Sequence, residues 1–196
     1  MQERKAEISR VTGETNVHIS LDLDGTGKAQ IHTGIGFFDH MLNSFARHGL
    51  FDLIVEVQGD LEVDSHHTIE DTGIVLGQAI RQAVGDKKGI RRFGDCMLPM
   101  DETLMLCALD LSGRPYLKFY MPLTVPKVGD FDTEMVHEFF YAVSYGAEMN
   151  LHLKMLDGEN NHHIIEAAFK AFAKALDQAT QYDDRIQEVL STKGSL

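Results

Sequence analysis

The sequence predicts an α+β fold made by internal duplication. Two strand-strand-helix-strand-helix units each contribute a mainly antiparallel sheet, and the helices pack between the two sheets. Three observations carry this prediction. The pattern His-His-x-x-Glu occurs twice, as HHTIE (66–70) and HHIIE (162–166), at an offset of 96 residues. One more histidine precedes each pair, His40 in GFFDHML and His137 in EMVHEFF, at nearly the same spacing. Finally, ETNVHISLDLDG (14–25) lines up with ETLMLCALDLSG (102–113). Self-similarity at several points along a chain marks a repeated structural unit.

The elements follow in the same order in both halves. Val17 to Leu23 and Leu104 to Leu111 have strand-like content and end at glycine-containing turns, DGTG and SGRP. Second strands follow at Ala29 to His32 and at Tyr116 to Tyr120, then first helices at Phe37 to His48 and at Glu134 to Tyr145. Alternation of apolar and polar residues predicts strands at Leu53 to Val57 and Leu151 to Met155. Each unit closes with a long helix that starts at its His-His pair, with Asp64 and Asn160 or Asn161 as candidate N-caps. The halves divide at 1–88 and 89–196, joined near the basic, glycine-rich GDKKGIRRFG (85–94). MPLTVPKVGD (121–130) reads as a loop insertion confined to the second half.

Bulk composition bounds the function. With 196 residues, 43% of them hydrophobic, the chain can bury a core. A formal net charge of -12 argues against nucleic acid or an anionic membrane as partner, while an anionic small molecule fits if the few cations converge. No apolar run approaches a membrane span, and MQERKAEISR carries charges where a secretory signal needs its apolar stretch, so a cytoplasmic location is expected. Cys96 and Cys107 are too few and too loosely spaced for a zinc ribbon or a disulfide framework and read as reduced thiols in or near the core.

Ten histidines are the more informative count. A helix former such as Ala or Leu would be more favourable than His in the first turn of an alanine-rich helix, so local propensity does not explain the pairs. His66 and Glu70 share a helix face, as do His162 and Glu166, whereas His67 and His163 are turned by about 100° around the axis. Neighbouring rings therefore serve different ions. A two-metal arrangement follows, with His40, His66, Glu70 and His163 at one ion and His137, His162, Glu166 and His67 at the other. Three imidazoles and a carboxylate suit manganese, iron, cobalt or zinc, and spacing does not choose among them. The positive end of a helix dipole disfavours a cation, so anions must compensate; Glu70 and Glu166 supply two negative charges. His18 and His152 lie on alternating strands and read as solvent-facing. His32 stays open, and so does His48 on the His40 helix.

GIGFFDHMLNSFARHGLFD, DSHHTIEDTGI, GDKKGIRRFG, LDLSGRPYL and NNHHIIEAAFKAFAKAL together resemble the imidazoleglycerol-phosphate dehydratase family of histidine biosynthesis. The resemblance runs from Glu14 to the STKG near the C-terminus; Ser65 and Ile69 depart from the pattern without touching a ligand, and no appended phosphatase domain is expected. It implies halves like domain 2 of ribosomal protein S5 and conversion of imidazole glycerol phosphate to imidazole acetol phosphate. It further implies two Mn2+ per active site, the same ligand groups, and a metal-bridging imidazolate of the substrate that expels hydroxide. Glu14 takes the role of proton-abstracting base by resemblance, although Glu102 is its counterpart in the repeat. Arg92, Arg114, Lys170, Ser191, Thr192 and Lys193 match the family's phosphate-binding positions, and His48 joins Glu14 against the substrate. The family forms octahedral 24-chain particles with metal sites at subunit contacts, so a homo-oligomer is expected. A two-metal hydrolase of a phosphorylated small molecule and a metal-buffering oligomer are the rival readings.

Overall fold

A computed structural model describes residues 3–196 of the chain. The first half contributes β1 (Lys5–Val11), β2 (Thr15–Asp22), β3 (Ala29–His32), α1 (Gly36–Gly49), β4 (Asp52–Gly59) and α2 (His66–Val84). The second contributes β5 (Phe93–Met100), β6 (Thr103–Asp110), β7 (Tyr116–Tyr120), β8 (Lys127–Val128), β9 (Phe131–Asp132), α3 (Met135–Gly146), β10 (Asn150–Asp157) and α4 (Asn161–Thr180). The sheets run β1-β2-β4-β3 and β5-β6-β10-β7, and only β3–β4 and β7–β10 pair in parallel within them. The fold is therefore α+β, with two mainly antiparallel sheets in the same strand order.

Each half begins one strand earlier than the sequence pattern predicts. β1 lies in the charge-rich start and β5 takes over the end of the GDKKGIRRFG link. Both are edge strands with one face on the core, so their outward residues (Lys5, Glu7 and Ser9; Phe93, Asp95 and Met97) mask the alternation. Pro99 is tolerated in β5 because an edge strand leaves one side of its ladder unpaired. On β2 and β6 the alternation is plain, burying Val17, Ile19 and Leu21, and Met105, Cys107 and Leu109. Cys96 stands directly opposite Cys107 in the β5–β6 ladder; both are free thiols, Cys107 buried and Cys96 half-buried.

The helices fill the space between the sheets, and α1 packs on α4 while α2 packs on α3. Contacts along these pairs fix their direction. A Cβ on Gly73 would lie 2.9 Å from the carbonyl oxygen of Phe139, and one on Gly77 would lie 2.6 Å from that of Val143. Contacts thus advance along both helices together, and α2 runs parallel to α3. On the other flank the His40 and His162 rings are 5.8 Å apart and Phe45 stacks on Phe172 at 5.4 Å, so α1 and α4 are parallel too. A chain of rings, Phe38–Phe139–Phe169–Phe140–Phe172–Phe45, with centroids 4.9–5.7 Å apart, welds α1, α3 and α4 into one core.

The 121–130 insertion is more than a loop, since β8 and β9 make a short hairpin at its end. Asp130 accepts hydrogen bonds from the backbone N–H groups of Gly36 (3.0 Å) and Phe37 (3.4 Å), occupying the exposed donors at the start of α1. Ser65 donates to Asp132 at the start of α2, and Thr124 and Asn161 exchange two hydrogen bonds at the start of α4. One segment from the second half therefore ties together the first turns of three helices. Among the described residues no helix is long and apolar enough to cross a membrane.

The α2–α3 contact leaves no room for a side chain at Gly77. Gly77→Val is expected to lower stability by about 1–3 kcal/mol through overpacking, seen as a lower denaturant midpoint; an unchanged midpoint would show that the helices are not in contact there.

Candidate metal centre

The two histidine pairs occupy the first turns of α2 and α4, held by different capping chemistry. Asn160 is the N-cap of α4, its side-chain oxygen accepting the N–H groups of His162 (2.9 Å) and His163 (3.4 Å). Asn161 is already helical and bonds the insertion instead. At α2 the N-cap position is Ser65, whose side chain makes no capping bond, while Asp64 accepts the His66 N–H at 2.7 Å.

On the α1–α4 flank, His40, His162 and Glu166 bring one ligand atom each to within 4.8 Å of one another. His162 Nε2 lies 3.0 Å and His40 Nε2 3.4 Å from the same oxygen, Glu166 Oε2. The other oxygen accepts from Lys170 Nζ at 2.6 Å. Burial alone would raise the Glu166 carboxyl, but Lys170 and then His162 outweigh it and hold the group below the ordinary carboxylate range. Two imidazoles and a buried carboxylate, preorganised at one point, are donors that suit a borderline divalent ion. His48 lies further along this flank, where burial, followed by Lys170 and Lys174, pushes its imidazole down.

On the α2–α3 flank, His66 Nε2 stands 3.6 Å from Glu70. His137 on the parallel α3 bonds Glu138 at 2.9 Å and packs against Phe119 and Tyr141. The second rings of both pairs turn away toward hairpin and loop carboxylates. His67 donates to Asp60 at 3.0 Å and stands 3.6 Å from Glu14, and these acids, Asp60 first, raise its pKa. His163 donates to Glu102 at 2.8 Å and stands 3.7 Å from Asp101; it is raised in the same way.

Within one chain, His40 meets Glu166 of the other repeat, whereas the sequence grouping paired His40 with His66 and Glu70. Helix packing is the reason: each lone histidine lies on a helix that pairs in parallel with the His-His-x-x-Glu helix of the opposite half. Sequence reasoning also missed Asp60 and Glu102 as partners of the second rings. For Glu102 a signal existed, namely its alignment with Glu14. The two glutamates differ in their bonding. Glu102 also accepts the N–H groups of Asn160 (2.8 Å) and Glu159 (3.3 Å), and His163 together with these bonds lowers its pKa to about 2. The Glu14 side chain accepts no hydrogen bond among the described residues and is 56% exposed.

The expected phosphate-binding residues do not all meet. Arg92, Arg114, Ser191, Thr192 and Lys193 line one cavity of about 650 Å³, walled largely by the C-terminal segment. Lys170 and His48 lie instead on the α1–α4 flank. The segment is fastened to the 85–92 link by bridges Ile90–Tyr182 and Lys88–Val189. Arg92 braces it: its guanidinium grips Asp110 through Nε (2.6 Å) and Nη2 (3.0 Å) and donates to the carbonyl of Leu190 (2.6 Å). Arg114 makes no such ion pair among the described residues.

Comparison with known proteins agrees with this architecture. The family model for imidazoleglycerol-phosphate dehydratase matches residues 33–176. A relative of that name from Lachnoclostridium phytofermentans is 67% identical over 98% of this chain and 98% of its own length, and one from Acetivibrio thermocellus is 62% identical over 99% and 100%. The crystal structure of imidazoleglycerol-phosphate dehydratase from Staphylococcus aureus superposes with a TM-score of 0.83 at 43% identity, covering 91% of this chain and 99% of that one. A crystal structure of the Pyrococcus furiosus protein in complex with (S)-C348 gives a TM-score of 0.83 at 35% identity, covering 96% of this chain and all of that one. The chain belongs to the imidazoleglycerol-phosphate dehydratase family and is an enzyme of that class, a hydro-lyase of histidine biosynthesis.

Proposed function

We propose that the chain dehydrates imidazole glycerol phosphate to imidazole acetol phosphate at a site holding two manganese ions between neighbouring copies of itself. The single observation that carries this reading is that His162 and buried Glu166, expected at one ion, converge with His40, expected at the other, at the head of a duplicated helix pair. The same residue types stand at the head of the α2–α3 pair.

The ligand groups read from the sequence divide evenly between the two flanks. His40 and His163 lie at the α1–α4 heads, while their expected partners His66 and Glu70 lie at the α2 head. His162 and Glu166 lie at the α4 head, while their partners His67 and His137 lie at the α2 and α3 heads. Each ion thus takes two ligands from one flank and two from the other, and the α1–α4 flank of one chain completes the α2–α3 flank of the next. Ions placed this way make metal binding and association one equilibrium, which supports a homo-oligomer and, by resemblance, a 24-chain particle.

Held by these ligands, the ions would supply Lewis acidity toward the substrate's imidazole ring and so ease departure of the hydroxyl on the adjoining carbon. Everything else falls to the chain. Glu14 has a free carboxylate face 3.6 Å from His67, and by resemblance it takes the proton from the carbon next to the departing hydroxyl. Glu102, fully engaged with His163 and the start of α4, holds that ring in place. Arg114 and Lys193 in the 650 Å³ cavity bind the phosphate with the hydroxyls of Ser191 and Thr192. Arg92 shapes the cavity by anchoring the segment that forms its wall. Lys170 and His48 reach a substrate bound at the α1–α4 flank.

Metal-stripped protein is expected to lose turnover of imidazole glycerol phosphate and to regain it with manganese, with the ketone read by enolate absorbance in base. Release of inorganic phosphate instead would point to a hydrolase. Glu14→Gln should cut kcat by about 10²–10⁴-fold while leaving metal content intact, and near-normal turnover in this variant would remove Glu14 as the base. His67→Ala and His163→Ala should each reduce bound manganese and the assembled fraction, read by metal analysis and sedimentation; full loading in both would undo the ligand groups.

A further inference from the structure

The duplication lets one metal-binding glutamate be compared with the other, and they stand in different electrostatic surroundings. Aligning HHIIEAAFK (162–170) with HHTIEDTGI (66–74) places Lys170 four residues after Glu166, where the first half has Ile74 after Glu70. The ammonium of Lys170 bonds Glu166 Oε1 at 2.6 Å, while the two imidazoles face Oε2 of the same carboxylate. Both side chains are largely withdrawn from water, Glu166 at 9% exposed and Lys170 at 20%. Glu70 is 40% exposed and, among the described residues, has only His66, at 3.6 Å, as its ion-pair partner. The asymmetry extends outward: His48 and Lys174 lie around Lys170, and their repeat counterparts are Tyr145 and Gln78.

We infer that the two metal positions are unequal in affinity, the ion on Glu166 being the weaker and more readily exchanged, and that Lys170 is the residue that sets the difference. This rests on the reading of Glu166 and Glu70 as metal ligands. A carboxylate already shared with an ammonium offers a cation less negative potential than one facing solvent. A divalent ion held by Glu166 would be repelled by that ammonium, and screening is reduced beside a carboxylate that is only 9% exposed. The i,i+4 spacing on α4 fixes Lys170 on the face of Glu166, so the cation cannot swing clear without giving up its contact with Met100 Sδ at 3.8 Å. Lys170 is therefore a positioning residue for the metal site, in addition to any contact it makes with substrate.

The test is a titration of the metal-stripped, full-length chain with Mn2+, with free aqua-ion followed by electron paramagnetic resonance and no substrate present. Two equal classes of site are expected, about tenfold or more apart. Lys170→Met, which keeps the stem and removes the charge, should tighten the weaker class by a similar factor and draw the two together. Ile74→Lys should weaken the tighter class instead, and it carries the test if Lys170→Met fails to fold. A single class in the unaltered chain, or a weaker class that Lys170→Met leaves unchanged or loosens further, overturns the inference. Failure of the underlying ligand assignment looks different: His162→Ala and His66→Ala would then each retain two ions per chain. Loss of one ion in each, with equal affinities in the unaltered protein, sinks only the inequality.

Discussion

Close parallel packing of the helices is the constraint on which the rest of this molecule depends. β4 returns the chain from the end of α1 to the start of α2, and β10 does the same between α3 and α4, so helices within a half run the same way. Between halves, Gly73 and Gly77 let α2 lie against the backbone of α3, and the phenylalanine chain fixes α1, α3 and α4. All four N-termini are thereby gathered at one end, and the 121–132 segment binds those of α1, α2 and α4 through Asp130, Asp132 and Thr124. Every histidine of the candidate metal centre is within five residues of one of these starts. Packing, rather than any loop, is what delivers them.

Gathering four helix N-termini creates an electrostatic problem. Each carries partial positive charge, and a cation among them is disfavoured unless negative charge is close. The chain meets this with carboxylates placed around the rings: Glu70 and Glu166 from the helices, Asp60, Asp101 and Glu102 from the loops, and Glu14 from the β1–β2 turn. Asn160 and Asp130 absorb the N–H groups themselves. At the opposite extreme, the 650 Å³ cavity gathers Arg92, Arg114, Arg185 and Lys193, and Arg92, paired with Asp110, holds its wall through the carbonyl of Leu190.

Duplication did not produce two equal halves. The insertion before α3, the tail beyond α4, and the replacement of Ile74 by Lys170 all belong to the second half. Glu14 and Glu102 diverged in bonding while keeping their place, one left with a free carboxylate face and the other committed to structure. The two His-His-x-x-Glu helix starts therefore stand in distinct surroundings, Glu166 beside Lys170 and Glu70 facing solvent.

The sequence by itself determined the repeat, most of its elements and the candidate metal-binding residues, because these depend on local periodicity and on rare residue types recurring together. His-His-x-x-Glu on a helix start was legible since helix geometry alone puts the first ring and the glutamate on one face and turns the second ring away. It could not reveal β1 and β5, whose outward faces obscure their alternation, nor the service of Asp60 and Glu102 to the second rings, which depends on how hairpin turns meet helix ends. Tertiary structure alone decided that His40 stands by Glu166, a contact between residues more than a hundred positions apart, and that the i,i+4 pair of Glu166 and Lys170 is withdrawn from water. Only the packing of one half against the other fixes these.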